Sequence, residues 1–170
     1  MINWTFEAGL QTSADIVQVA TDSKKIYDLF SNENVVMTSS SHLSGTDRVN
    51  EAVSKLSLSD EDVVINIQGD EPFINPEDIN NLFDLVSKKE ISMGTLYGDL
   101  KSLDDLEDSN KVKILVNDGI ASNFFRETSL VNNIFIHQGV YAFKYKTLKS
   151  FVSWKPSDNE RNINLNSLEL

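Results

Sequence analysis

At 170 residues, with 40% hydrophobic and 24% charged content, the chain has the composition of a soluble globular protein long enough for one domain with a real core. Its net charge of −11 argues against binding a nucleic-acid backbone, which takes clustered Lys and Arg, and no apolar run approaches the roughly 20 residues that span a bilayer. The absence of cysteine excludes disulfides, thiolate metal sites and cysteine nucleophiles, and His42 and His137 are too few for a multi-histidine metal centre. The first residues carry neither a basic region nor a long apolar run, so the expected compartment is the cytoplasm.

Residues 2–11 place Ile2, Phe6, Leu10 and Ala14 four apart, which predicts an amphipathic helix. Residues 15–21 read as a strand, and Asp22-Ser23 as the start of a helix that turns Ile26, Leu29 and Phe30 inward. Val35-Val36-Met37 is a short strand entering a polar loop over residues 38–48. Thr46 or Asp47 is the expected N-cap of a helix through about Leu56, with Val49, Val53 and Leu56 on its buried face. Val63-Val64-Ile65-Asn66-Ile67 then predicts a buried strand that stops at Gln68-Gly69-Asp70-Glu71-Pro72. Asn75-Pro76-Glu77-Asp78 opens a helix whose core stripe is Leu82, Leu85 and Val86. Alternation of strand and helix to this point calls for a parallel sheet covered on both faces.

Past Lys89 the pattern changes. Residues 92–97, 111–116 and 121–125 read as strands, and Asn117-Asp118-Gly119 between the last two is a hairpin signal. Residues 134–143 form another strand, interrupted at Gly139, residues 145–154 a helix, and residues 165–170 the start of a further one. With no repeats or linker-like stretches, residues 1–170 read as a single domain with a mixed sheet.

Three groups of residues point to chemistry. In open α/β sheets ligands bind beyond the carboxyl ends of strands, so Gly69-Asp70-Glu71 at such an edge can hold a hard cation and phosphates bound to it. The alternative is a polar turn closed by Pro72. Ser44-Gly45-Thr46-Asp47-Arg48 offers backbone amides at a helix start, with Arg48 reaching back over them. Its alternative is a capped helix whose Arg48 pairs with Asp47 or Glu51. His137 and Tyr141, four apart on one strand, share a face suited to a hydroxylated ligand, and Arg126 carries a planar fork suited to a carboxylate unless it pairs with Glu127.

Taken together, Met37-Thr38, His42-x-Ser44-Gly45-Thr46-Asp47-Arg48, Ile65-Asn66-Ile67-Gln68-Gly69-Asp70-Glu71-Pro72 and His137-Gln138-Gly139-Val140-Tyr141 closely resemble the 3-deoxy-manno-octulosonate cytidylyltransferases, the CMP-Kdo synthetase family. Val19-Ala20-Thr21-Asp22, Asn110-Lys111-Val112-Lys113 and Trp154-Lys155-Pro156-Ser157 extend the match in order along essentially the whole chain. The resemblance implies a Rossmann-like three-layer α/β nucleotidyltransferase fold with a mixed, mostly parallel sheet. It implies transfer of CMP from CTP to Kdo with release of pyrophosphate, in the service of lipopolysaccharide synthesis, with Mg²⁺ required. It further implies that Asp70 is the catalytic metal ligand, that Ser44, Gly45 and Arg48 lie around the cytosine and ribose, and that Gln68, Arg126, His137, Tyr141 and Glu169 bind the sugar acid. Family members are commonly homodimers.

The chain departs from the family pattern at both ends. The family's first strand and its basic triphosphate loop have no counterpart, and Leu170 stands where the family usually has glutamine. The expectation is therefore a fragment or a degenerate copy that lacks its first strand, with an unfilled slot in the sheet and without appreciable turnover alone. Two further readings stay open: a cytidylyltransferase for another sugar acid, such as sialic acid or amino-Kdo, and a non-catalytic nucleotide-binding remnant.

Overall fold

The structure, a computed structural model, describes residues 1–129 and 131–155, which fall into two compact units, residues 1–94 with 140–155, and residues 95–139. Among the described residues no helix is long and apolar enough to cross a membrane.

The first unit opens with α1 (Ile2–Leu10). Its buried face is Thr5, Phe6, Ala8 and Gly9, while Leu10 is exposed, so the four-residue stripe expected from the sequence is corrected to a face of mostly small residues. The reason is close packing: a Cβ on Gly9 would stand 2.9 Å from a methyl of Val17. Strand β1 (Val19–Thr21) is shorter than expected and pairs in parallel with β2 (Val35–Met37), joined through the single turn α2 (Lys24–Tyr27). Phe6, Val19 and Val35 form the centre of this core, with Ile26 and Phe30 against it. Leu29, expected inside, is exposed, because α2 ends at Tyr27 and the helical spacing does not continue to it.

Helix α3 (Gly45–Val53) is capped by Ser44, whose hydroxyl oxygen accepts the Asp47 amide at 3.1 Å. The expected cap at Thr46 or Asp47 is thus moved two or three residues earlier, which leaves Thr46 buried in the first turn. Strand β3 (Val63–Ile67) forms as read and pairs antiparallel with β7 (Ile134–Lys144), in register from Val63 opposite Lys144 to Ile67 opposite Val140. Strand β7 runs without interruption through Gly139, against expectation. Asn75 caps α4 (Pro76–Ser87) through its side-chain oxygen and the Glu77 amide at 3.0 Å, with Pro76 in the first turn. Ile79, Leu82 and Val86 fill its inner face, and Leu85 lies toward solvent. The chain re-enters this unit midway along β7 and continues as α5 (Tyr145–Phe151), whose Leu148 joins Val64 and Phe143 in a second core, backed by Val49 and Val53 of α3.

The second unit holds the body of β4 (Met93–Gly98), then β5 (Lys113–Asn117), β6 (Ile120–Phe125) and the first half of β7. Strands β5 and β6 make the expected hairpin, and Asp118 (φ 50°) and Gly119 (φ 75°) adopt the left-handed pair that matches strand twist. Strand β5 also pairs antiparallel with β7, so the architecture is a mixed α/β one, with β1–β2 its parallel pair. Lys113, at the start of β5, is fully buried, and its ammonium donates to the carbonyls of Asp108 (2.6 Å), Lys111 (2.9 Å) and Arg126. Burial lowers its pKa below that of an ordinary lysine. Asp105 accepts from Lys111 and from the Lys101 and Ser102 amides, and these bonds hold its carboxyl at about 2.

Candidate active site

Three strand ends in the first unit carry the polar groups. Asp22 follows β1, Thr38 follows β2 and Gln68-Gly69-Asp70 follows β3. Arg48, on the first turn of α3, ties the first two together. Its guanidinium pairs with Asp22 at 3.2 Å and donates to the Thr38 hydroxyl at 2.7 Å and to the Ser39 carbonyl at 3.4 Å. The partners expected from its own helix face, Asp47 and Glu51, are engaged elsewhere. Asp47 accepts from the Ser44 hydroxyl at 2.8 Å. Glu51 accepts the Ser39 amide at 2.9 Å, pairs with His42, and lies 3.6 Å from Lys55. The Ser39 amide, with His42 beside it, lowers the Glu51 pKa and so keeps this carboxylate charged. The loop between β2 and α3 is therefore fastened by His42 and Glu51, with Lys55 also donating to the Met37 carbonyl at 3.1 Å.

At the end of β3, the first turn of α1 lies against Gly69. Thr5 donates to the Gly69 carbonyl at 3.3 Å, and a Cβ on Gly69 would come within 2.9 Å of the end of Ile2. Asp70 is exposed in the following turn, with its carboxylate available to solvent. Gly45, Arg48, Gln68 and Gly69 all border one groove of about 780 Å³ within this unit, whose walls are β1 and β3. Tyr141 is half-buried in β7, its ring stacked on Phe143 at 6.3 Å between centroids.

In the second unit His137 donates to or accepts from the Thr95 hydroxyl through Nε2 at 2.9 Å, and its ring meets Phe124 edge-on at 5.2 Å. Burial lowers its pKa to about 4, so the imidazole is neutral at pH 7. Arg126 follows β6 and donates to the Ser109 carbonyl at 3.0 Å, while its own carbonyl is fixed on buried Lys113. Glu169 and the helix expected over residues 165–170 lie outside the described residues. Sequence reasoning missed Asp22 and Thr38 as partners of Arg48, and Glu51 as partner of His42. For Asp22 and Thr38 only their places just past strand ends hinted at the role, since Asp22 is far from Arg48 along the chain, and Glu51 lies within α3.

Among the described residues no group of three or more His, Asp or Glu comes together as a metal cage. Magnesium is commonly held by one or two protein carboxylates, with phosphate oxygens and water completing its shell, so an exposed Asp70 beside Gly69 fits that ion without a cage.

Comparison with known proteins adds the following. A family model described as cytidylyltransferase matches residues 1–170. The chain is 33% identical to the 3-deoxy-manno-octulosonate cytidylyltransferase of Vibrio campbellii (strain ATCC BAA-1116), over 95% of this chain and 70% of that protein. It is 33% identical to the protein of that name from Haemophilus influenzae (strain 86-028NP), over 99% of this chain and 73% of the relative. Its fold superposes on a CMP:2-keto-3-deoxy-manno-octonic acid synthetase solved in complex with CTP, with a TM-score of 0.86 at 29% identity, covering 99% of this chain and 73% of the other. A 4-diphosphocytidyl-2C-methyl-D-erythritol synthase from Anaerococcus prevotii, at 16% identity and a TM-score of 0.56, shares the fold.

Proposed function

The chain belongs to the cytidylyltransferase family, and we propose that it transfers CMP from CTP to Kdo, releasing pyrophosphate. The observation that carries this reading is the convergence of Gly45, Arg48, Gln68 and Gly69 on one groove at the strand ends. Ser44 and Gly45 present the opening amides of α3 to cytosine and ribose oxygens. Arg48 is held in place by Asp22, Thr38 and Ser39, so the surface it forms is ordered before a nucleotide arrives. Asp70 would hold Mg²⁺, which when bound supplies positive charge against the phosphates of CTP. Each residue assigned to the sugar acid keeps its own chemistry. Arg126 offers a planar fork to a carboxylate, and neutral His137 offers hydrogen bonding to a hydroxyl without adding charge. Gln68 and Tyr141 bring an amide and a phenol, and Glu169 carries the same assignment.

The test titrates CTP, UTP and ATP against the protein, then incubates each with Kdo and Mg²⁺ and follows nucleotide loss and CMP-Kdo by mass spectrometry. The expected result is CTP bound about tenfold or more tightly than ATP, because a site built to pair polar groups rejects a ligand that leaves them unpaired. CMP-Kdo should form only when Kdo and Mg²⁺ are both present, and Asp70→Asn should remove that turnover with the circular dichroism unchanged. Selective CTP binding without product would assign the chain to the non-catalytic nucleotide-binding reading. No CTP selectivity and no CMP-Kdo together would overturn the proposal.

A further inference from the structure

Of the two histidines, only His137 lies in the second unit, and its surroundings hold it from three directions. Its backbone amide donates to the Val112 carbonyl at 2.9 Å, just before β5. Its ring meets Phe124 of β6 edge-on. Its Nε2 stands 2.9 Å from the Thr95 hydroxyl.

Thr95 reaches the ring from β4, which pairs with β7. Two residues further along β4, Tyr97 meets Phe135, with ring centroids 4.7 Å apart. Residues two apart on a strand share a face. Thr95 with His137 and Tyr97 with Phe135 are therefore successive cross-strand pairs on one face, stepping in opposite directions along the two strands. The aromatic pair fastens the register that brings the Thr95 hydroxyl to the imidazole. Threonine is stiff at χ1, so this hydroxyl is carried on a side chain with little freedom to swing away.

In an uncharged imidazole one nitrogen carries hydrogen and the other accepts, and a hydrogen bond at either settles which. Burial keeps His137 uncharged at pH 7, so its hydrogen-bonding sense depends on the tautomer. Among the three contacts, the one from Thr95 is made at a ring nitrogen.

We propose that Thr95 is a positioning residue for the sugar acid: its hydroxyl holds the His137 ring in one orientation and one tautomer, so that the imidazole meets a sugar hydroxyl in a single hydrogen-bonding sense. The proposal rests on the role given to His137 above. It adds that the sugar site extends to a side chain on β4, and that discrimination among hydroxylated acids depends on it. A ring free to flip would offer either sense and select less well.

The test uses the whole chain with isotope-labelled histidine, and reads the imidazole nitrogens by NMR at pH 7. His137→Gln assigns the signals, and His42, paired with Glu51 in the other unit, is the control that should not move. The parent chain should show one tautomer at His137. Thr95→Val keeps the shape and removes the hydroxyl, so the His137 signals should shift to those of a tautomer mixture, still uncharged. Thr95→Ser should restore the parent signals. By calorimetry, Thr95→Val should weaken Kdo binding about tenfold, through lost orientation alone, and leave CTP binding unchanged. Thr95→Ser should bind Kdo as the parent does.

The proposal is overturned if the parent already shows a tautomer mixture, or if Thr95→Val leaves the His137 signals where they were. It is also overturned if the signals move and Kdo affinity does not. Each of these results leaves the proposed transfer reaction standing. A parent chain that binds CTP but no Kdo overturns the sugar-acid role of His137 and this proposal together. Should Thr95→Val displace the His42 signals as well, Thr95→Ala takes its place under the same criteria.

Discussion

A cation at the strand ends of the first unit and one in the core of the second are used differently. Arg48 in the first unit is 17% exposed and bonded mainly to side chains, the Asp22 carboxylate and the Thr38 hydroxyl, at the ends of two strands. Lys113 in the second unit is 0% exposed and bonded to three backbone carbonyls, which pins the segment at residues 108–111 to the end of β6. A planar guanidinium with several fixed donors can bridge two loops and still present a face to a ligand, whereas a compact ammonium is spent on the carbonyls around it. One cation organises a surface, and the other replaces a piece of core.

The sharpest way to break this contrast is Lys113→Met, which keeps the volume and leaves three carbonyls without their donor. Unfolding in urea should show a loss of about 3–5 kcal/mol, since each orphaned buried polar group costs about 1–3 kcal/mol; a loss under 1 kcal/mol would mean the carbonyls find water. Next is the acid behaviour of the same unit. His137 is held at about 4 against an ordinary 6.5, so the fold favours its neutral form and its contribution is complete above pH 6.5. As pH falls from 6.5 towards 4 the unfolded chain takes up the proton first, and stability should drop by on the order of 3 kcal/mol at the limit. His137→Gln should flatten that slope. Asp105, held at about 2, adds a second loss only below about pH 4, where the unfolded carboxyl protonates and the folded one does not.

In the first unit Arg48→Lys keeps the charge but cannot reach Asp22 and Thr38 together. It should cost about 1 kcal/mol of stability and weaken CTP binding about tenfold, read by calorimetry. Unchanged CTP affinity would detach Arg48 from the nucleotide site. The smallest effect is expected of Glu51→Gln, which retains an acceptor for the Ser39 amide and loses the charge facing His42 and Lys55. CTP affinity should fall less than about threefold, because a partly exposed pair contributes little.

The contrast also marks what the sequence made legible. Strand β3 stopping at Ile67 before Gln68-Gly69-Asp70, the Asn75-Pro76 start of α4 and the Asp118-Gly119 turn are local signals, complete within a few residues, and each formed where the pattern put it. Both cations were illegible in their roles. Lys113 sits where alternation and charge both suggest a solvated side chain, and only the chain folding back at residues 108–111 and Arg126 supplies its acceptors. Arg48 was singled out, but its partner Asp22 comes to it through the parallel pairing of β1 and β2, a long-range event that spacing on α3 cannot report. The outward Leu10 and Leu29 failed for a related reason, because packing against Val17 favoured small residues and α2 was too short to carry a helical face.

The burial of Lys113 has a practical consequence. Amine-reactive reagents attack a neutral, accessible amine, and this one is sealed from solvent with its three protons directed at carbonyls. In the folded chain it should stay unlabelled while exposed lysines such as Lys24 and Lys149 react within the first minutes. Its labelling then clocks the opening of the β5–β6 hairpin, a built-in chemical timer for the one motion that would release it.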